Sequence, residues 1–511
     1  MSQNDFTIAN QTFPNTRADI NSALQALAST SSGSSAPSTT FANQFFYNTT
    51  SNLLQIRNED NDAFITIAEL DQTNDTVEYF KSDSVRTALI EFSDGDDALA
   101  IADGGALTVS TSLDMNGTEL ILDADADTSI TADTDDRIDI KVGNTDRAYI
   151  TANTIGGIIN RQNAKPLIIN GDMQVAQRGT SLAGQTGSGY QMDRFGFLMN
   201  NFGTWTMSQA DDGSTGSGFT HALKWDCTTA DTSLGASDRG LLHYRFEGQD
   251  VQGFKKGTSS AEKLTVSFWV KSAKTGTYIA ELADATNTRF VSKAYTISSA
   301  DTWEKKILSF PADTTGVLSN NNVLAFAVQW WLGAGSTYSS GTLGETWNTT
   351  QANRAVGQVN LADSTDNDWY ITGVQLEVGE YDATTIPPFQ HESYGDNLQR
   401  CKRYCQSTFS QGTAIGSATA VGVIITCAAG TGIGRVSTGH QFPVSFRAPP
   451  TIVIHNQTGG TTGSGRNGDT GGLITMSAGN ASTDAAHFEN SGAMGNDGAQ
   501  LQFQFSATSE L

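Results

Sequence analysis

Residues 263–271 read KLTVSFWVK and alternate without a break. Leu264, Val266, Phe268 and Val270 fall on one side, and Thr265, Ser267, Trp269 and Lys271 on the other. A period of two marks a strand with one buried face. Two further stretches read the same way. Val323–Trp330 places Leu324, Phe326, Val328 and Trp330 on one face, and WYITGVQLEV (369–378) ends with Val374, Leu376 and Val378 alternating. Gly-rich turns separate the runs, and no helical pattern intervenes. Residues 161–395 are therefore expected to form an antiparallel sandwich of the jelly-roll type. Tryptophan marks the same boundary: all eight, at 205, 225, 269, 303, 330, 331, 347 and 369, follow a first 160 residues that have none.

Upstream, the pattern thins. LTVSTSLDMNGTELILDADADTSITADTDDRIDIKV (107–142) carries short aliphatic pairs, Leu107/Val109, Leu120/Leu122 and Ile138/Ile140/Val142, cut by Gly and Asp. Ordering backbone costs roughly 1–2 kcal/mol per residue, and one copy of such a segment has little apolar bulk to set against that. It also leaves open strand edges, which a soluble chain must hide. Residues 81–160 are expected to be the shaft of a homotrimeric fibre, with small aliphatic side chains meeting on a common axis. Asp123, Asp125 and Asp127 have the spacing that starts a calcium loop. Thr128 and Thr134 stand where an EF-hand needs Gly and a bidentate acid, so these are read as solvated turn aspartates and no metal is expected.

Residues 41–80 read as a small β unit, with Leu54/Ile56 and Phe64/Ile65/Ile67 as strands and NEDND as their turn. In residues 1–40, Asn15 and Thr16 are potential caps for a short helix with Ile20, Ala23, Leu24 and Leu27 on one face. Ser29–Thr40 (STSSGSSAPSTT) has the composition of a flexible tether. A terminal amphipathic helix on a tether suits docking into a larger partner, so Ile20, Leu24 and Leu27 are the candidate attachment residues.

After the sandwich, Leu398, Cys401 and Cys405 follow helical spacing, with Asp396 and Arg400/Lys402/Arg403 placed as the helix dipole prefers. Residues 396–511 are expected to be this linker helix and a β tip domain. Its strands are Val421–Thr426, Gln441–Arg447, Pro450–His455 and Gln500–Ala507. The stretch between Asn456 and Gly472 is a long mobile or functional loop.

The net charge of −24 disfavours nucleic acid and anionic membranes as partners. The four cysteines show no metal-ligand spacing. The opening residues lack a signal-peptide pattern, and no apolar run reaches ~18 residues. Folding in a reducing cytoplasm, without cofactor or membrane insertion, is the expectation.

Several stretches carry a resemblance. LIINGDMQVAQRGTS (167–181) followed by GYQMDRFGF (189–197) resembles the opening of the sugar-binding-like jelly roll of phage tail fibre proteins. WYITGVQLEVGEY (369–381) and PPFQHESYGDNLQRCKRYCQ (387–406) resemble its exit, and FPVSFRAPPTIVI (442–454) the end domain that often follows. NQTFPNTRADINSALQALASTSSGSSAP (10–37) and NLLQIRNEDNDAFITI (52–67) resemble the virion-attachment ends of tail fibres of marine short-tailed, podovirus-type phages. Phe195 and Met173 stand where members often carry a larger aromatic or Phe. The resemblance implies a trimeric fibre in the virion tail. It would be held by tail adaptor or nozzle proteins at its N-terminus and would bind a host-surface glycan or outer-membrane receptor through its C-terminal domains.

Sugar recognition needs flat aromatic faces and planar polar groups. The candidates are Trp269, Trp331, Tyr338 and Trp347, the last two within GAGSTYSSGTLGETWNTT (333–350), with Arg466 and Asn467 in the distal loop. Arg178, Asp193 and Arg194 read as a structural ion-pair set. The alternative is a tailspike that depolymerises polysaccharide, which needs two carboxylates flanking a groove. The acids of the sandwich sit mainly in turns, no nucleophile elbow occurs, and GTGIG (430–434) lacks a strand–helix context. The chain is therefore read as a binding protein and not an enzyme.

Overall fold

The computed structural model describes residues 4–79, 118–132, 137–151, 155–156, 165–427, 434–492, 494 and 498–511. The strands expected between 81 and 117 lie outside the described residues. The chain divides into two units, Met1–Asn116 and Gly117–Leu511.

In the first unit, helix α1 (Phe13–Ala28) starts earlier than the Asn15/Thr16 caps suggested. Pro14 sits in its first turn, where a missing N–H costs nothing. Ala26 is buried, but Leu24 is 58% and Leu27 69% exposed, and Ile20 and Phe13 are exposed as well. The Ser29–Thr40 stretch is no free tether at its start. Ser31 is buried, Gly33 N–H donates to the Tyr47 carbonyl, and Thr49 N–H donates to the Gly33 carbonyl. Strands β1 (Phe45–Asn48), β2 (Leu53–Arg57), β3 (Phe64–Asp71) and β4 (Thr76–Tyr79) form an antiparallel meander. Phe46 is its buried centre and packs on Phe64. The NEDND turn closes as expected: the Asn58 side-chain oxygen accepts the N–H groups of Asp62 and Ala63.

The second unit opens with a five-stranded antiparallel sheet: β5 (Leu120–Ile121), β6 (Ser129–Thr131), β7 (Arg137–Val142), β8 (Thr145–Thr151) and β9 (Ile155–Gly156). Leu120 stands opposite Ile130, Ile130 opposite Ile140, and Ile138 opposite Ile150. Directly opposed residues share a face, so the aliphatic side chains collect on one side. That side is open: Leu120, Ile130, Ile138, Val142 and Ile150 are 37–47% exposed. The other face is polar yet closed. Asp139 is buried, accepts from Arg137 Nε at 2.8 Å, and the Arg137 guanidinium lies 4.5 Å from the Tyr149 ring centre.

The sandwich strands, in chain order, are β10 (Ser181–Gln185), β11 (Ser188–Tyr190), β12 (Phe195–Asn200), β13 (Thr204–Ala210), β14 (Ala222–Thr229), β15 (Arg239–Glu247), β16 (Leu264–Ser272), β17 (Gly276–Asp284), β18 (Arg289–Ile297), β19 (Glu304–Phe310), β20 (Leu324–Ala334) and β21 (Asp368–Val378). They form two six-stranded sheets, ordered β10-β13-β14-β21-β16-β19 and β11-β12-β15-β20-β17-β18. The chain is thus mainly β, as expected. Val266, Phe268 and Val270 point inward, as their alternation requires, and meet Trp205, Trp225, Trp330 and Trp369, none of which has exposed surface. The 167–181 stretch plugs this core. Asn170 accepts from Val175 N–H and donates to the Asp193 carbonyl, and Asn397 accepts from Asn170 N–H. Gly171 is obligatory there, since a Cβ would sit 2.2 Å from the Val374 carbonyl oxygen.

Helix α2 (Tyr394–Lys402) is capped by Ser393, whose hydroxyl accepts from Asp396 N–H. Cys401 is buried in it, but Cys405 is not helical: it begins β22 (Cys405–Ser407). The last domain adds β23 (Ile424–Cys427), β24 (Ser437–Gln441), β25 (Thr451–His455), β26 (Ser464–Asn467), β27 (Leu473–Gly479), β28 (Ala485–Asn490) and β29 (Gln500–Thr508). Residues 442–447, expected as a strand, are irregular: Pro443 has no N–H to give a ladder, and Phe442 and Phe446 enter the core as plugs. The 456–472 loop is not structureless either, because β26 pairs with both β27 and β29.

Candidate functional site

The outer face of the first sandwich sheet gathers side chains suited to a ligand. In β16 the inward run Val266, Phe268, Val270 forces Trp269 and Lys271 outward. Tyr370 stands opposite both Lys271 and Lys224, and Trp269 opposite both Thr372 and Lys305. Trp303, just before β19, is next to Lys271 in the same row. Trp269 and Trp303 are therefore diagonal neighbours, within reach of one flat ligand. Both indoles are half-buried.

Cations and acids frame the rings. Lys271 Nζ lies 4.2 Å from the Tyr370 ring centre and 5.4 Å from that of Trp303. It pairs with Asp212. Lys224 Nζ is 3.0 Å from Asp226 and 3.5 Å from Asp368. Burial alone would lower the Lys224 ammonium, but hydrogen bonds to Asp226 and Tyr370 hold its pKa above the usual lysine range. Burial and the Asp368 charge push the Tyr370 phenol up to about 12, so it is a neutral hydroxyl donating to Asp368 at 3.1 Å. Three buried polar atoms of this face, Trp303 Nε1, Ser267 Oγ and Thr372 Oγ1, have no hydrogen-bond partner among the described residues. One end is closed by Phe219, which packs on Phe389 and His391. Gly373 (φ +61°) makes room there, since a Cβ would meet Phe219 Cζ at 2.6 Å and Trp269 Cδ1 at 3.0 Å.

Of the residues singled out from the sequence, only Trp269 belongs to this face. Trp331 and Tyr338 are not available to a ligand: both are buried on the other sheet, in a second small core with Leu241, Ile279 and Ala355. Trp331 does point away from the main core, but the 336–355 excursion covers it. The Tyr338 hydroxyl accepts from Arg239 at 2.8 Å. Trp347 is half-buried beside Phe326, and its Nε1 donates to the Pro311 carbonyl at 2.8 Å. Asn467 is not free for a ligand either: it is buried and builds a turn, accepting the N–H groups of Asp469 and Thr470. Arg466 donates to Gln502 at 3.1 Å. Trp303 and Tyr370 were missed. Alternation counted back from Val374 would place Tyr370 inward, and the irregularity opposite Ser267–Trp269 turns it outward instead.

The Asp123, Asp125 and Asp127 carboxylates lie within 4.8 Å of one another. The Asp123 carboxylate accepts from Thr128 N–H at 3.1 Å, so it closes its own turn. Among the described residues no helix is long and apolar enough to cross a membrane.

On the second sheet His243 is buried, and burial together with the Arg245 and Arg194 charges holds its pKa well below the usual imidazole value. The unfolded chain takes up that proton at about pH 6.5 and the folded chain does not, so stability falls as pH drops below that point. Between pH 6.5 and 5 the loss is expected to reach about 2 kcal/mol. The denaturation midpoint of the sandwich should show it, and His243→Gln should flatten the slope; a slope unchanged in that variant would refute the assignment.

No family model matches the chain, and no curated protein matches it. Solved structures do match in part. A putative sugar binding protein from Bacteroides thetaiotaomicron is similar over 42% of this chain and 100% of its own, at 13% identity and a TM-score of 0.23. TmCBM61, solved with beta-1,4-galactotriose, is similar over 42% of this chain and 99% of its own, at 10% identity and a TM-score of 0.22. The enzymatically active domain of bacteriophage CBA120 tailspike protein 4 is similar at 11% identity and a TM-score of 0.23. That match covers 42% of this chain and only 21% of the tailspike chain.

Proposed function

We propose that this chain is a receptor-binding tail fibre subunit of a short-tailed phage, working as a homotrimer, and that Trp269, Trp303 and Tyr370 hold a host-surface glycan. The observation that carries the binding reading is the outward placement of two diagonal indoles between two lysines, on a face with unpartnered buried donors. Sugar rings offer C–H faces to flat aromatics, and their hydroxyls pair with ammonium and hydroxyl groups. Binding without cleavage is favoured over depolymerisation because the acids of this face, Asp212, Asp226 and Asp368, are each held by a lysine. A glycoside hydrolase needs two carboxyl groups free to flank the scissile bond. The exposed Ile20, Leu24 and Leu27 of α1 support docking to a tail adaptor or nozzle protein.

Purified protein incubated with host-surface polysaccharide tests this. Retention with unchanged polymer length is expected, and Trp269→Ala and Trp303→Ala should each weaken binding by about 30-fold, as anchoring aromatics do. Wild-type affinity in the double variant would remove the site, and shortening of the polymer would favour the tailspike alternative.

A further inference from the structure

We propose a second binding site, for an acidic sugar, in the groove where the sandwich meets α2 and the last domain. It is distinct from the Trp269/Trp303 face. A groove of about 710 Å³ is lined by Lys165, Arg194, Arg245, Arg400 and Arg403, with Asp250 as its one acid. A second groove of about 700 Å³ shares Lys165, Arg400 and Arg403 with the first and continues to Val444 and Ser445, with Asp396 as its acid. Each has the volume of an ordinary ligand site, and domain junctions are where such sites form.

The charge is the informative part. The chain as a whole carries −24, which repels an anion from most of its surface. Here five of the 30 Lys and Arg residues line one concavity. Arg403, Arg400 and the buried Arg194 face the carboxylates of Glu247, Glu392 and Glu510, so the attraction for an anion comes from Lys165, Arg245 and the N–H donors that the Arg400 and Arg403 pairs leave open. The arginines are fixed from behind. Arg403 gives Nε and Nη2 to Glu247, both at 2.7 Å. Arg400 is held by Glu392 and the Pro166 carbonyl. Arg194 is held by Glu510 and the Arg245 carbonyl, and stacks 3.4 Å from the Tyr404 ring centre. Arg245 is held by the Leu511 oxygen. A guanidinium has five N–H donors, and these anchors use two each on Arg403 and Arg400. The remaining donors are preorganised for a planar or tetrahedral oxyanion. Lys165 is exposed and has no acidic partner among the described residues. Leu167, Ile169 and Phe246 supply an apolar floor for a ring.

The site takes an oxyanion carried on a saccharide, either a uronic carboxylate or a phosphate. Titration calorimetry of the full chain, in the Trp269→Ala/Trp303→Ala background, isolates it from the aromatic face. The probes are a uronic-acid oligosaccharide, a hexose phosphate and a neutral oligosaccharide of matched length. At least one acidic probe is expected to bind, the neutral one not, and added salt should weaken binding. Lys165→Glu, which removes no described contact, should reduce acidic-probe affinity by about tenfold or more. Which acidic probe binds identifies the anion. Equal binding of acidic and neutral probes, no binding of either acidic probe, or wild-type affinity in Lys165→Glu would each overturn the proposal. None of these outcomes bears on the Trp269/Trp303 face.

Discussion

Ile138→Asp is expected to convert the proposed trimer into single chains. The β5–β9 sheet has an aliphatic face that the described residues leave uncovered: Leu120, Ile130, Ile138, Val142 and Ile150 are all more than a third exposed. Fully burying one such side chain is worth about 1.5–3 kcal/mol, so leaving five in water is a large forfeited gain. The opposite face cannot supply the core, since it is built from Ser129, Thr131 and the Arg137–Asp139 pair. Three copies turning these faces toward a common axis would cover them. An aspartate at 138 would then meet two copies of itself in an apolar seam, where unpaired charge costs several kcal/mol. Light scattering should give the mass of three chains for the native protein and one for the variant, with the sandwich tryptophan signal unchanged. Asp146→Asn, at an exposed position of the same sheet, should stay trimeric. Native protein that runs as one folded chain would end the trimer reading.

What could be read from the residues follows from how local the determining physics is. KLTVSFWVK showed its two faces because alternation is a property of the strand alone, and both Trp269 and Trp331 do point away from the main core. Whether an outward tryptophan meets solvent depends on a distant segment, and the 336–355 excursion that buries Trp331 has no signature in strand β20. Tyr370 was obscured because the register shift opposite Ser267–Trp269, beside Gly373, breaks the count along WYITGVQLEV. Trp303 precedes EKKILSF, where charged and apolar residues come in pairs and no clean period sets a face. The Gly-rich composition of 456–472 suggested a loop, yet Arg466 and Asn467 are drawn into a ladder by β29, which pairs with β22, β23, β25 and β26. The grooves around Arg400 and Arg403 join segments more than 150 residues apart, and pattern reading of any one segment does not reach them.

Glu510→Gln should lower the stability of the second unit by about 3–5 kcal/mol, a larger loss than any surface substitution would bring. Arg178, Asp193 and Arg194 do form the ion-pair set expected of them, but its centre is Glu510. Arg178 lies 2.8 Å from Glu510 and 3.3 Å from Asp193, and Arg194 pairs with the other Glu510 oxygen. All four side chains are nearly or fully buried. The pair spans more than 300 residues and ties the last strand region to the opening strands of the sandwich. Two guanidiniums left in low dielectric with Asp193 alone cannot be rehydrated without opening that junction. Replacing one partner of a buried pair is therefore far costlier than the net worth of the pair. Lys263→Ala is the matched control. Its pair with Glu380 is half-exposed on both sides, and its removal should cost less than about 1 kcal/mol. Urea denaturation followed by tryptophan fluorescence reads both. If the two variants lose the same stability, burial is not what gives the Glu510 cluster its weight, and the junction is held by the apolar packing around Tyr404 and Cys405 instead.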